Sequence, residues 1–202
     1  MNLRDVMPTA ENSTNFNIMP DSQTEVGTTL ENLKSAVNGE TGASAKYAEF
    51  SKLAKEAGYD QISRQFAATS AAEQIHIALE VAEIKKQEPD YVPPAAPEVG
   101  GNQTDINLIS GALGEIYETS DMYPNFVKVA IEEGNSSAEL VFTRAKLAEA
   151  VHAELYMDAY NNIDAPDDDK FYLCPVCGYI HKGDDFEKCP ICFAPKSAFK
   201  VF

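Results

Sequence analysis

Two short segments, Glu73-Gln-Ile-His76 and Glu149-Ala-Val-His152, share the pattern E-x-x-H, and each follows a lone glutamate at a similar distance. Glu40 stands 33 residues before Glu73, and Glu115 stands 34 before Glu149. On a helix, positions i and i+3 lie on one face, so one helix offers a carboxylate and an imidazole together. A facing helix then adds the second carboxylate. Such a set suits two hard, highly charged cations: carboxylates neutralise and bridge them, and one imidazole per metal sets geometry and redox potential. A single E-x-x-H is usually solvated surface. Here both copies fall on otherwise apolar stripes, in a chain with only three histidines. Unpaired carboxylates buried there would cost several kcal/mol each, on the order of 2–7.

The stretch "GEIYETSDMYP" adds Glu118 three residues after Glu115, and Asp121 three further on. Glu118 has no counterpart in the first half, where Ala43 follows Glu40 at the same interval. It breaks the repeat. Asp121, turned by about 60° around the helix, is expected in polar surroundings and outside the set.

A second centre lies near the C-terminus. Cys174, Cys177, Cys189 and Cys192 read C-x2-C-x11-C-x2-C, two knuckles that can close a tetrahedral S4 site. Spacing alone fits a zinc ribbon equally well. Phe171, Tyr172, Tyr179, Phe186, Phe193 and Phe199 are expected to build a small aromatic core around it. His181 is expected at the surface, because four cysteines already complete the shell.

The elements that must position these residues are helical. A capping box of Thr28 and Glu31 opens the first helix, which runs to Gly58. The second is expected from Asp60, as N-cap, to Gln87. "EPDYVPPAAPEVGGNQT", with four prolines and two glycines, suits a long crossover rather than a tight turn. A third helix is expected over 105–133, kinked or bulged by Pro124. A fourth follows over 136–161, capped by Ser136 and Glu139. The expected fold is an all-α four-helix ferritin-like bundle, with a long crossover between helices 2 and 3 and a small C-terminal β/loop metal-binding domain. Its divisions are a polar arm (1–27), the bundle (28–163), an acidic hinge (164–170) and the cysteine module (171–202).

The net charge of −16 speaks against nucleic acid or an anionic membrane as partners. No apolar run is long enough to span a bilayer, and the N-terminus lacks the pattern of a secretion signal. Clustered C-x-x-C pairs favour metal over disulfide in a reducing compartment, so a cytoplasmic location is expected.

The cysteine module resembles rubredoxin, a mononuclear iron electron carrier. Joined behind a bundle with these motifs, it makes nearly the whole chain resemble the rubrerythrin family. The polar arm, "NLISGALGEIYETSDMYPNF" and "DAPDDDKFYLCPVCGYIHKGDDFEKCPIC" look most like its nigerythrin branch. Two departures stand out: a cysteine loop shorter than in free rubredoxins, and Phe193 after the second knuckle where glycine is common. That position favours a left-handed backbone.

The resemblance implies two non-haem irons in a carboxylate-bridged pair and one iron held by the four cysteines. It implies Glu73 and Glu149 as bridges, Glu40 and Glu115 as terminal ligands, and His152 on one iron. His76 and Glu118 would alternate on the other with its oxidation state, and Tyr47 and Tyr123 would hydrogen-bond to the carboxylates. The implied activity is a peroxidase that reduces hydrogen peroxide to water in oxidative-stress defence. Rubredoxin or an NAD(P)H-dependent rubredoxin reductase would supply electrons, in a head-to-tail homodimer that brings the two kinds of centre together. A ferroxidase or iron-handling role is the alternative.

Overall fold

The structure is a computed structural model describing residues 22–165 and 167–202; the first 21 residues of the expected arm lie outside the described residues. Helix α1 (Thr29–Glu56) starts where Thr28 accepts from the Glu31 amide while Glu31 reaches back to the Thr28 N–H, the expected capping box. Left-handed Gly58 turns the chain into α2 (Asp60–Ile84). Asp60 is the first helical residue rather than the N-cap; its carboxylate pairs with Lys55 across the turn. Extended residues from Val92 to Gln103 then carry the chain to α3 (Thr104–Tyr117).

Here the helix widens. Glu118–Met122 form a π-turn before α4 (Tyr123–Glu132), with Pro124 in the first turn of α4. The expected bulge at Pro124 takes this form: proline has no N–H to continue the ladder, and the preceding turn expands by one residue. Left-handed Gly134 leads into α5 (Ser136–Asn161). The cap there is Asn135, whose side chain accepts from the Ala138 amide, and not Ser136.

The four long segments pack around two apolar clusters at opposite ends of the bundle. One joins Leu33, Ile84, Tyr123, Phe126 and Phe142; the other joins Tyr47, Phe50, Phe66, Leu108 and Tyr156. The acids of the repeat lie between them.

The C-terminal module is a three-stranded antiparallel sheet in the order β2–β1–β3, with β1 Phe171–Leu173, β2 Ile180–Lys182 and β3 Lys200–Val201. It is seated on the bundle. Phe171, Leu173 and Ile180 pack on Ala68 and Ala72 of α2. Lys182 reaches both Asp158 of α5 and Asp167 of the hinge. Of the expected aromatic core, Tyr179 and Phe199 are buried and Tyr172 and Phe186 pack against them, but Phe193 is 67% exposed and belongs to no core.

Candidate metal centres

At the middle of the bundle, Glu40 on α1, Glu73 and His76 on α2, Glu115 on α3, and Glu149 and His152 on α5 are all buried. Their ligand atoms form two overlapping quartets, Glu40/Glu73/His76/Glu149 and Glu73/Glu115/Glu149/His152. Within each quartet the atoms lie within 4.8 Å of one another. Glu73 and Glu149 belong to both, which is the topology of two cations sharing two carboxylates.

The donors converge on common points rather than on each other. Glu149 approaches His76 Nδ1 and His152 Nδ1 to 2.7 Å each, yet neither of its oxygens makes a hydrogen bond of acceptable angle. Both oxygens of Glu115 and one each of Glu40, Glu73 and Glu118 are likewise buried without a partner. Native interiors rarely leave so many polar atoms unsatisfied, unless a ligand is to be bound there.

Charge sharing among these groups says the same. Burial, then neighbouring carboxylates, push Glu40, Glu73 and Glu118 up, and raise Glu115 to about 8. Burial would lower the two histidines, but Glu149 outweighs it and raises both; the two imidazoles in turn overcome burial and hold Glu149 down. Protons thus stand where cations would, and metal binding must displace them.

Both imidazoles turn Nδ1 to the carboxylates and Nε2 outward. His76 Nε2 lies 3.1 Å from the carbonyl of Cys177, and His152 Nε2 lies 2.9 Å from that of Gly178. A carbonyl only accepts, so each Nε2 carries a proton, and Nδ1 is the atom that faces metal once its own proton is displaced. The first cysteine knuckle of the chain therefore sits directly on the two histidines. The two kinds of centre, expected to meet across a dimer, thus meet within one chain. Gly178, at φ 77°, is required twice over: its backbone is left-handed, and a Cβ would run into His76.

The four sulfurs form the third group. Cys174 Sγ and Cys192 Sγ are 3.4 Å apart, Cys177 Sγ and Cys189 Sγ 3.5 Å, close to the roughly 3.8 Å edge of a tetrahedron with Zn–S-type bonds. All four are free thiols. Hydrogen bonds from Cys174 and Cys177 push Cys189 down to about 2, while Cys177, facing Cys174 and Cys189, is pushed up. Only a multivalent cation ionises all four together. His181 is absent from this group and bonds to Tyr179 and Asp185.

Residues 31–160 match the family model described as Rubrerythrin, and residues 172–200 the one described as Rubrerythrin, rubredoxin-like domain. The chain belongs to the rubrerythrin family. It is 63% identical to nigerythrin of Nitratidesulfovibrio vulgaris over 202 residues, all of both chains. It is 32% identical to rubrerythrin-2 of Clostridium acetobutylicum over 177 residues, covering 86% of this chain and 96% of that one. A solved structure of fully reduced, all-ferrous nigerythrin superimposes with a TM-score of 0.92 at 63% identity over the whole of both chains. Symerythrin from Cyanophora paradoxa shares the fold, with a TM-score of 0.60 at 19% identity over 80% of this chain and 97% of that one. The bundle thus provides a rubrerythrin di-iron site of carboxylate and histidine ligands, and Cys174, Cys177, Cys189 and Cys192 provide the rubredoxin-like site.

Three residues expected at the site stand apart from the quartets. Glu118, in the π-turn, is buried beside Glu115 but outside both quartets, whereas His76 is inside the first. Tyr123 donates to Glu40 and lies 2.9 Å from Glu80 Oε1. Tyr47 is buried with its hydroxyl unpartnered, so the expected bond to a carboxylate is not made. Asp121 is outside, as expected: it accepts from Ser22, the Gln23 amide and Asn125, and so anchors the end of the arm.

Glu80 was not assigned a role from sequence, although it lies on the same face seven residues after Glu73. It is fully buried, with one oxygen unpartnered, and burial raises it to about 8. Burial favours the protonated form of both Glu40 and Glu80, which supplies the second proton that the double contact at Tyr123 needs.

Proposed function

We propose that this protein is a non-haem di-iron peroxidase that reduces hydrogen peroxide to two waters, taking electrons through its four-cysteine iron. The observation that carries this reading is the seating of the first cysteine knuckle on both histidines, through Cys177 O and Gly178 O. An electron carrier bonded to the ligands of a dinuclear site serves redox turnover; iron storage has no use for it.

The iron pair, when bound, supplies the two electrons of the reaction. Glu73 and Glu149, common to both quartets, would hold the two metals together, with Glu40 and Glu115 as terminal ligands, His152 on one and His76 on the other. His76 and Glu118 are the exchangeable pair: an imidazole suits ferrous iron, and a carboxylate better neutralises ferric charge. Glu118 lies free of both quartets, a placement that leaves it available. Two protons must accompany the electrons, and Tyr123, between Glu40 and Glu80, whose burial favours their protonated forms, holds one beside the site. Tyr47 stands beside Glu115 and can take a hydrogen bond to it once the carboxylate is charged.

Rubredoxin or an NAD(P)H-dependent rubredoxin reductase is the proposed donor, in a reducing cytoplasm; no described helix is long and apolar enough to cross a membrane. A head-to-tail homodimer is part of the proposal, and sizing chromatography tests for the dimer.

Stopped-flow mixing of anaerobically reduced, iron-loaded protein with peroxide tests the reading. One peroxide per pair should oxidise the dinuclear site, and the colour of the ferric S4 centre should follow. Peroxide left unconsumed by the ferrous protein, or zinc alone in all sites of active material, overturns it. Cage-sized particles retaining iron in large excess would instead support the ferroxidase alternative.

A further inference from the structure

Gly114 leaves a gap in α3 one turn before Glu118, and a cation from α1 stands at it. A Cβ at Gly114 would come to 3.3 Å from the Tyr47 hydroxyl and 3.4 Å from Lys46 Nζ. A helical side chain leans over the turn N-terminal to its own Cα. Glu118 has helical backbone and follows Gly114 by four residues, so its carboxylate leans toward the same gap. Lys46, Tyr47 and Glu118 thus come together where the helix has no side chain of its own.

None of the three is satisfied. Lys46 is half-buried with Nζ 4.9 Å from the centroid of the Tyr47 ring, which fixes its stem. It makes no ion pair among the described residues, whereas Lys34, Lys55 and Lys86 each hold an acid. The Tyr47 hydroxyl and Glu118 Oε2 are buried without a partner. Glu118 is also the least enclosed carboxylate of the site, 7% exposed where Glu40, Glu73, Glu115 and Glu149 are fully covered. Burial and the acids Glu115, Glu149 and Glu73 disfavour its charge, and Lys46 opposes them.

We infer that Lys46 is the counter-ion of Glu118 when that carboxylate is off the metal, and so a positioning residue for its exchange with His76. The inference rests on the exchange contained in the peroxidase reading and adds what holds the released carboxylate. A carboxylate that leaves a metal for a buried gap keeps its charge only where another cation meets it. Lys46 supplies that charge from the facing helix. The exchange is then a move between two cations, and Lys46 favours the ferrous form, in which Glu118 is released.

Zinc, divalent like ferrous iron but redox-inert, sets the charge of the reduced site without its chemistry. A crystal structure of the zinc-loaded full chain should show His76 on the metal and a Glu118 oxygen within about 4 Å of Lys46 Nζ. Glu118 released but turned away from Lys46 overturns the inference and leaves the exchange standing; Glu118 on zinc overturns both. In iron-loaded protein, Lys46→Met should lower the reduction potential of the dinuclear pair by a shift equivalent to about tenfold in the preference for the ferrous form. Lys46→Arg, which keeps the charge, should restore most of it. A lysine acting only through its field at the metals would give the same shift without Glu118, so the substitution is repeated in Glu118→Gln. There the shift should vanish. An unchanged potential in Lys46→Met, or a shift of equal size in both backgrounds, overturns the inference.

Discussion

The two halves of the bundle start from one plan and end in different chemistry. Each gives a glutamate and an E-x-x-H, and each adds a tyrosine one turn or two beyond its first glutamate: Tyr47 after Glu40, Tyr123 after Glu115. The intervals are seven and eight residues, and the extra residue is the π-turn Glu118–Met122. Glu118 opens that insertion, buried beside Glu115. Seven residues beyond the E of each E-x-x-H stand Glu80 and Tyr156. Tyr123 therefore meets a carboxyl, at 2.9 Å, where Tyr47 meets the ring of Tyr156, with centroids 5.6 Å apart. One half surrounds its tyrosine with acceptors; the other surrounds it with apolar rings. A symmetric pair of sites would suit storage of equivalent ions. Asymmetry at both the ligand and the proton-holding positions suits a reaction whose two metals have separate tasks.

The largest effect should come from removing what the halves share. Glu149→Ala deletes a carboxylate common to both quartets and with it the main charge that favours both imidazolium forms. Dinuclear metal content should fall to background and peroxide turnover by at least about 100-fold, with the S4 centre still loaded. Metal analysis checks this; retention of two metals per bundle contradicts a shared bridge. Glu118→Ala removes what only one half has. It should keep both metals, because neither quartet includes it, and slow reoxidation by peroxide about tenfold or more. Unchanged turnover would sink the exchange of Glu118 with His76.

Acidity separates the empty site from the filled one. Glu80 and Glu115, raised to about 8, and the raised histidines hold protons more tightly folded than unfolded. The stability they contribute is present below their unfolded values and is lost as pH rises through the folded ones. Metal-free protein should thus melt at lower temperature at pH 8 than at pH 5.5. Glu149, held down, works the other way and loses its contribution on acidification. Iron-loaded protein should reverse the trend, since ligation needs the protons gone. Calorimetry of both forms across this range decides it, and parallel trends would argue against metal replacing protons at the site.

Much of this was legible in the chain, for definite reasons. Helix periodicity, E-x-x-H and C-x-x-C act through fixed local spacing, and so did the capping box at Thr28. The π-turn was visible in part. Glu40 to Gly58 spans 18 residues and Glu115 to Gly134 spans 19, while both glycines precede the next ligand glutamate by 15. The extra residue is thereby confined to the segment with Pro124. The seating of the knuckle on the histidines left no such trace, because backbone carbonyls have no residue type; Gly178 alone hinted at close approach. Glu80 shares the inward face with Glu73 and His76 but belongs to no E-x-x-H pattern, so among 32 acids its role shows only in its burial and its contact with Tyr123. The Asn135 cap was missed because Ser136 and Glu139 offered the same pattern one residue later.

The smallest effect is the most direct measure of the asymmetry. Tyr123→Phe and Tyr47→Phe each delete one buried hydroxyl at related positions. Tyr123 donates to Glu40, so its loss strands a buried carboxylate oxygen and should cost about 1–3 kcal/mol in the metal-free protein. The Tyr47 hydroxyl has no partner there, so its loss removes an unmet desolvation penalty and should be neutral or stabilising by up to about 1 kcal/mol. Denaturant unfolding of the two variants side by side gives the sign of each. Metal loading then sharpens the contrast: if a charged Glu115 recruits Tyr47, Tyr47→Phe should become destabilising only in the iron-loaded form. Equal losses in both metal-free variants would mean that the two halves support their tyrosines alike, and the proton-holding role would lose its claim to one side.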